Sequence, residues 1–312
     1  GCMRIIFFGS PTEAADSLDS LISAGHEVAA IYSQPDRKAG RGRTKFPTPV
    51  KSYAVENGIP VFTPSSLRRN EEEVARLSNF NVDTFVVVAY GRILPTEILQ
   101  IPPMGVVNIH PSLLPLHRGP SPVVTAILEG RVETGVTVML LDEGMDTGPI
   151  LAQSEPVRLT GKEKGAELQD SLFKKGASML PTVLKGLQDG SVVPQPQDDS
   201  LATVTGLLER SDGEIDWSAN SQEIERMIRA YDPWPGTFTS YNGKGLKILD
   251  AELSNETSVG EGVIFSQDGR LFVGSGGGSL EIKQIQLDAR QAVAAADFLR
   301  GHPDIDGTTL GT

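Results

Sequence analysis

At 312 residues, 39% hydrophobic and 22% charged, the chain is long enough for two domains and has a globular composition. No run approaches the roughly 18 apolar residues of a membrane span, and a net charge of −12 argues against gripping nucleic acid over the whole surface. Cys2, the only cysteine, allows no intrachain disulfide and no cysteine-based metal cluster. The opening Gly1-Cys2-Met3-Arg4 lacks the charged-then-apolar plan of a secretion signal, so a cytoplasmic location is expected.

In chain order, Arg4 to Gly9 reads as a buried strand broken by Gly9-Ser10-Pro11. A helix follows with Leu18, Leu21 and Ile22 on one face, stopped by Gly25, and His26 to Tyr32 is a second strand. Between Gln34 and Lys51 six cations (Arg37, Lys38, Arg41, Arg43, Lys45, Lys51) face one acid, Asp36. That is a local +5 on an acidic chain: a solvated loop, or a docking point for one phosphate-rich ligand end. Lys51 to Asn57 predicts a helix, Ile59 to Phe62 a strand and Glu71 to Leu77 a helix. Val82 to Ala89 and Gly105 to Ile109 are strands, Ser121 to Glu129 a helix, Gly135 to Leu141 a strand, and Lys164 to Gln188 a long helix. Apolar strands alternating with helices predict an α/β, Rossmann-like open, mostly parallel sheet with helices on both faces, over residues 3–190.

Residues 191–206, rich in Pro, Gln, Asp and Ser, read as a linker. From 207 to 312 the pattern changes to one helix, Gln222 to Ala230, and short strands separated by glycines. These are Thr237 to Tyr241, Gly245 to Glu252, Gly262 to Phe265, Leu271 to Val273 and Leu280 to Leu287, which together predict a small OB-like β-barrel. That segment carries nine Lys and Arg against seventeen Asp and Glu, a net −8.

Ligands of an open parallel sheet bind at the carboxyl ends of its strands. The fifth strand ends Val107-Asn108-Ile109-His110, and alternation puts Asn108 and His110 on one side. Asp146 follows the sixth strand in a Gly144-Met145-Asp146-Thr147-Gly148 turn. An amide for an oxyanion, an imidazole for a proton and a carboxylate to orient the imidazole would suit acyl or formyl transfer. From spacing alone, Asn108 could equally satisfy loop backbone, His110 be structural and Asp146 serve its turn. No His-x-x-x-His pairing accompanies them, so no metal is expected. Gly9-Ser10-Pro11 is not Gly-x-Gly-x-x-Gly, which leaves a dinucleotide-binding oxidoreductase little support.

The run Ser112-Leu113-Leu114-Pro115-Leu116-His117-Arg118-Gly119, after an Asn-x-His pair and before Asp142 to Gly148 (Asp-x-Gly-x-Asp-Thr-Gly), resembles the folate-dependent formyltransferases. Three further features resemble the methionyl-tRNA branch. They are Gln34 to Arg43 followed by Pro47 to Lys51, Val86 to Gly91 before Ile93-Leu94-Pro95, and a second domain with Ile215-Asp216-Trp217 and Arg229 to Gly236. The likeness runs from Met3 and fades after about Arg300.

What the resemblance implies is a catalytic domain at 3–190 and a C-terminal β-barrel that supports tRNA binding. The activity would be formyl transfer from 10-formyltetrahydrofolate to the α-amino group of initiator methionyl-tRNA, for translation initiation. The resemblance makes Asn108, His110 and Asp146 the catalytic trio. It lines the folate pocket with Val88, Tyr90, Gly91, Ile93, Leu94, Ser112, Leu113, Leu114, Pro115 and Asp142, and gives Arg37, Arg41, Arg43 and Lys45 to tRNA, with Arg41 at the acceptor stem. The folate is a co-substrate, no metal or membrane is involved, and the expected state is a monomer. The alternative within this resemblance is formyl transfer to a sugar-nucleotide amine, against which the basic loop speaks. His117 is expected to be structural, and Trp217 and Trp234 to be core or domain-interface aromatics. Pro111 and Pro120-Ser121-Pro122 depart from the family pattern and stiffen the loop around His110. The −8 of the second domain would repel a phosphate backbone on average, so contacts there need a few placed cations.

Overall fold

A computed structural model describes residues 1–312 except residue 41, so Arg41 lies outside the described residues. The described residues fall into two compact units. One comprises Gly1–Pro122, Glu133–Arg158 and Gln169–Thr205, and the other Val123–Val132, Leu159–Leu168 and Gly206–Thr312.

Up to Asp189, with residues 123–132 and 159–168 belonging to the second unit, the elements follow in chain order. They are β1 (Arg4–Gly9), α1 (Thr12–Ser23), β2 (Glu27–Tyr32), β3 (Arg37–Ala39), β4 (Thr44–Phe46), α2 (Pro49–Glu56), β5 (Val61–Phe62) and α3 (Glu71–Asn79). Next come β6 (Thr84–Val88), α4 (Thr96–Leu99), β7 (Val106–His110), α5 (Pro122–Leu128), β8 (Glu133–Thr134), β9 (Thr137–Leu140), β10 (Ile150–Gln153), β11 (Val157–Arg158) and α6 (Gly165–Asp189). The sheet order is β10-β9-β7-β6-β1-β2-β5. Pairing is parallel from β7 through β6, β1 and β2 to β5, and β9 and β10 add antiparallel strands at the other edge. The mostly parallel sheet predicted from alternation is therefore present.

β1 is apolar almost throughout because it is central and covered on both faces. One face carries Ile6 and Phe8 into a core with Tyr32, Phe85, Val87, Tyr90 and Leu94. Local chemistry sets several helix starts. Thr48 caps α2 by accepting from Lys51 N at 3.1 Å with Pro49 following, and Asn70 caps α3 by accepting from Glu73 N at 3.2 Å. α6 holds Pro181, which cannot donate to the Ala177 carbonyl four residues back. Ser20 Oγ on α1 donates to that carbonyl instead, at 2.8 Å.

The basic segment, read as a loop, forms a hairpin. β3 and β4 pair antiparallel with Arg37 opposite Phe46, Lys38 opposite Lys45 and Ala39 opposite Thr44. Its three-residue strands carry no apolar alternation, so periodicity gave no sign of them. The predicted linker is not a free tether either. Gln195 exchanges backbone hydrogen bonds with Ile150 at 2.7 and 2.8 Å, and Val204 bridges Arg118.

The second unit holds α7 (Ser221–Ala230), β12 (Thr237–Tyr241), β13 (Lys244–Ser254), β14 (Ile264–Gln267), β15 (Arg270–Gly274), β16 (Ser279–Leu287), β17 (Val293–Ala294) and α8 (Ala295–Gly301). An antiparallel sheet runs β12-β13-β16-β15-β14, with β17 added to β16. Its end strands meet through the C-terminal segment. Ile264 exchanges hydrogen bonds with Gly307 and Thr308, and Gly311 N donates to Ser240 O at 2.9 Å, which gives the sheet its barrel-like closure. Trp217 lies in the core of this unit and donates to Thr239 Oγ1 at 3.0 Å. Trp234 does not follow it: it is 56% exposed, in a segment where flanking prolines leave no regular element to bury it. No helix among the described residues is long and apolar enough to cross a membrane.

Candidate active site

The candidate residues gather near where β1, β6 and β7 end at their carboxyl edges. β6 runs out through Val88 into Ala89, whose φ of 51° turns the chain, and Gly91 follows at φ 84°. The turn is held by its carbonyl at Tyr90, which accepts from Ser10 Oγ and from Gln34 Nε2, each at 2.9 Å. The Tyr90 ring packs edge-on against Phe8 at 5.4 Å. A side chain at Gly91 would run into the Gln34 amide, so this position needs glycine for space as well as for its φ. Val88, Tyr90 and Leu94 are buried, whereas Gly91 and Ile93 are exposed, so the predicted folate residues of this loop split between its wall and its rim.

On β7, Asn108 and His110 share a side of the strand as alternation requires. Asn108 Nδ2 donates to Val87 O on β6 at 2.9 Å, and its second N–H has no partner in that bond. His110 is buried, and its Nε2 lies 2.8 Å from the His117 carbonyl. A carbonyl only accepts, so Nε2 carries the hydrogen and Nδ1 is the basic nitrogen. Nδ1 faces Asp146 Oδ2 at 3.7 Å. Burial pushes the His110 pKa below its ordinary value, and the Asp146 charge and the His117 carbonyl pull the other way. Burial therefore disfavours the imidazolium form in the free site.

Asp146 has φ 57°, unusual for a residue with a side chain, and accepts from Gly119 N through Oδ2 at 2.8 Å. His117, also at φ 56°, is buried in the loop, and its N–H donates to Thr203 Oγ1 at 2.8 Å. The Ser112 to Pro115 run hangs on Thr137. Its Oγ1 donates to Ser112 O at 2.7 Å and accepts from Leu114 N at 3.1 Å and Gln153 Nε2 at 3.0 Å. Ser112 and Leu114 are buried, and Leu113 and Pro115 partly so. Asp142 is exposed and turned onto its own loop: Oδ1 accepts from Gly144 N at 3.0 Å and Thr147 Oγ1 at 2.6 Å.

Beside the Tyr90 turn lies a cleft of about 440 Å³ whose lining includes Ser10, Gln34, Arg37, Phe46, Pro47 and Ala89. Arg37 donates to Gln34 Oε1, which links the basic hairpin to the Tyr90 turn through one carboxamide. Arg43 and Lys45 are exposed on the hairpin, away from any carboxylate pairing among the described residues. Ser10, Thr137 and Gln197 all shape the site and had no motif to announce them, whereas Gln34 opens the basic feature already noted. No group of three or more His, Cys, Asp or Glu suited to a metal ion occurs among the described residues.

The match to the formyl transferase family model covers residues 3–184, and the model described as formyl transferase, C-terminal domain, covers 207–303. A methionyl-tRNA formyltransferase of Chloroflexus aurantiacus is 46% identical over 306 residues, 97% of this chain and 98% of the relative. One from Roseiflexus castenholzii is 45% identical over 312 residues, 99% of each chain. The chain belongs to the methionyl-tRNA formyltransferase family. Solved structures show the same fold at lower identity. An N-formyltransferase from Helicobacter canadensis, in complex with folinic acid and dTDP-3-aminofucose, has TM-score 0.67 and 21% identity over 90% of this chain and 99% of its own. HypX from Aquifex aeolicus in complex with tetrahydrofolic acid has TM-score 0.62 and 19% identity over 96% of this chain and 47% of its own.

Proposed function

We propose that this enzyme moves the formyl group of 10-formyltetrahydrofolate to the α-amine of initiator methionyl-tRNA at Asn108, His110 and Asp146. The observation that carries the assignment is the His110 ring set between the His117 carbonyl, 2.8 Å from Nε2, and the Asp146 carboxylate, 3.7 Å from Nδ1. The methionyl amine has a pKa near neutrality, so its nucleophilic form is accessible. Asn108 donates its second N–H to the formyl oxygen as negative charge builds there. His110 Nδ1 takes the proton released when the amine bonds to the formyl carbon, and the Asp146 charge favours the resulting imidazolium. His110 then returns that proton to the folate nitrogen as the carbon–nitrogen bond to it breaks, so the proton count closes without metal or covalent enzyme adduct.

For the co-substrate, the reading assigns Val88, Tyr90, Gly91, Ile93, Leu94, Ser112, Leu113, Leu114, Pro115 and Asp142 to the folate pocket. What supports it is that the Tyr90 turn and the Ser112 run are both rigidly held, by Ser10 with Gln34 and by Thr137. For tRNA, the reading assigns Arg37, Arg41, Arg43 and Lys45. Lys38 and Lys45 stand directly opposite each other across the hairpin, a like-charge pair that a polyanion would relieve. Residues 3–190 serve as the catalytic domain, 191–206 as the connection and 207–312 as an accessory tRNA surface, with the protein acting as a monomer.

The test is formyl transfer in vitro with charged initiator tRNA beside a UDP-amino-sugar. Variants His110→Ala and Arg43→Glu/Lys45→Glu are assayed in parallel. The expected result is formylated tRNA, loss of turnover in His110→Ala, and a raised KM for tRNA alone in the hairpin variant. Formylation of the sugar nucleotide only would refute the acceptor, and full activity in His110→Ala would refute the roles.

A further inference from the structure

Gln197, from the segment that follows α6 in the first unit, makes four hydrogen bonds with its carboxamide. Nε2 donates to the Asp146 carbonyl at 2.9 Å and to the Gly148 carbonyl at 2.7 Å. Oε1 accepts from Arg118 Nε at 3.1 Å and from Arg118 Nη2 at 2.9 Å. Both hydrogens and both lone pairs are in use, which only a carboxamide can do. Arg118 is buried, and its Nη2 also pairs with Asp199 Oδ1 at 2.6 Å.

The same segment grips the backbone of the loop that carries Arg118. Arg118 N donates to Thr203 O at 2.9 Å, while its carbonyl accepts from Thr205 N at 2.7 Å and Thr205 Oγ1 at 2.9 Å. His117, whose carbonyl fixes the His110 tautomer, donates its N–H to Thr203 Oγ1. Asp146 sits in the left-handed region, which Asp tolerates better than most side-chain-bearing residues. Its side chain is tied to the Gly119 amide and its carbonyl to Gln197, so both ends of the residue answer to this one junction.

We infer that Gln197 is a positioning residue for formyl transfer, fixing the Asp146 carboxylate against His110 by joining the Asp146 and Arg118 loops. The inference rests on the roles given above to His110 and Asp146. It makes the segment after α6 a strap behind the reacting side chains. Without the strap, the Asp146 carbonyl loses its Gln197 donor, the loop is freed and the carboxylate leaves the Nδ1 face. His110 then loses part of the field that raises its pKa.

The experiment measures kcat, both KM values, the pH profile of kcat and the melting temperature of Gln197→Met and Gln197→Glu. Methionine keeps the volume without donors or acceptors. Glutamate keeps the Arg118 contact but repels the two carbonyls. For both, kcat should fall at least tenfold with each KM within twofold of the parent, and the acid limb of kcat should move to lower pH. Turnover within twofold of the parent overturns the inference. So does a loss of turnover with an unmoved acid limb and a melting temperature that falls in step, which is the mark of a merely structural contact. Asp146→Asn runs alongside to separate the two levels. If Asp146→Asn is silent, the catalytic roles fall and the inference falls with them. If Asp146→Asn abolishes turnover while both Gln197 variants are silent, the strap alone is refuted.

Discussion

Thr137→Val removes one hydroxyl and leaves the shape of the side chain nearly unchanged. Thr137 is fully buried on β9, opposite His110 across the strand pair. Its Oγ1 makes three hydrogen bonds, to Ser112 O, Leu114 N and Gln153 Nε2. Each is worth about 1 kcal/mol net, and a buried group left without a partner costs about 1–3 kcal/mol more. Gln153 keeps a second acceptor in Leu114 O at 2.7 Å, but Ser112 O and Leu114 N are left without the partner that Thr137 supplies. The expected loss is therefore roughly 3–5 kcal/mol, which for a unit of this size is a drop of roughly 6–20 °C in melting temperature. The assay is urea unfolding followed by far-ultraviolet circular dichroism, with Thr137→Ser as the control. Serine keeps the hydroxyl and loses one methyl group, at about 1 kcal/mol. The KM for the folate co-substrate should rise several-fold in the valine variant and stay near the parent value in the serine variant. If valine proves as stable as serine, the hydroxyl does not hold the Ser112 run, and the reasoning fails.

Two further outcomes are expected. Ser20→Ala should cost about 1–2 kcal/mol, because Ala177 O loses the donor that stands in for the missing N–H of Pro181. In a Pro181→Ala background that N–H returns, so a double-mutant cycle in urea should show the Ser20 cost shrinking, and equal costs in both backgrounds would dismiss the link. The third concerns pH. Burial holds the folded-state pKa of His110 below its unfolded value of about 6.5, so between the two the unfolded chain binds more protons. Stability contributed by neutral His110 is complete above about pH 6.5 and is lost as pH falls toward the folded pKa. His26 is shifted in the same direction by burial, so the comparison must be with His110→Gln, whose stability should decline less steeply below pH 6.5. Parallel declines in urea titrations would show that His110 is not the group responsible.

Much of the fold was legible because it rests on short-range rules. The apolar run of β1 predicts a strand covered on both faces, and the Asn-x-His spacing puts Asn108 and His110 on one side of β7 whatever surrounds them. The Thr237 to Tyr241 strand and the Gln222 to Ala230 helix likewise follow from period and punctuation. The hairpin between Arg37 and Phe46 was not legible, since charged three-residue strands have no hydrophobic period. Trp234 shows the converse limit: an aromatic residue suggests burial, but flanking prolines kept it out of any packed element.

The amino-acid sequence by itself determined the element types, the two-part organisation and, through residue types in fixed spacing, the family. Tertiary structure alone decided which distant groups meet. His110 faces Asp146 across 36 positions of chain, Gln197 reaches the Asp146 carbonyl from 51 positions away, and Ser10 and Gln34 converge on the Tyr90 carbonyl. A periodicity of two or of 3.6 residues fixes which face a side chain takes. It says nothing of which strand lies next door, and that neighbour sets the tautomer, the charge and the strain of the site.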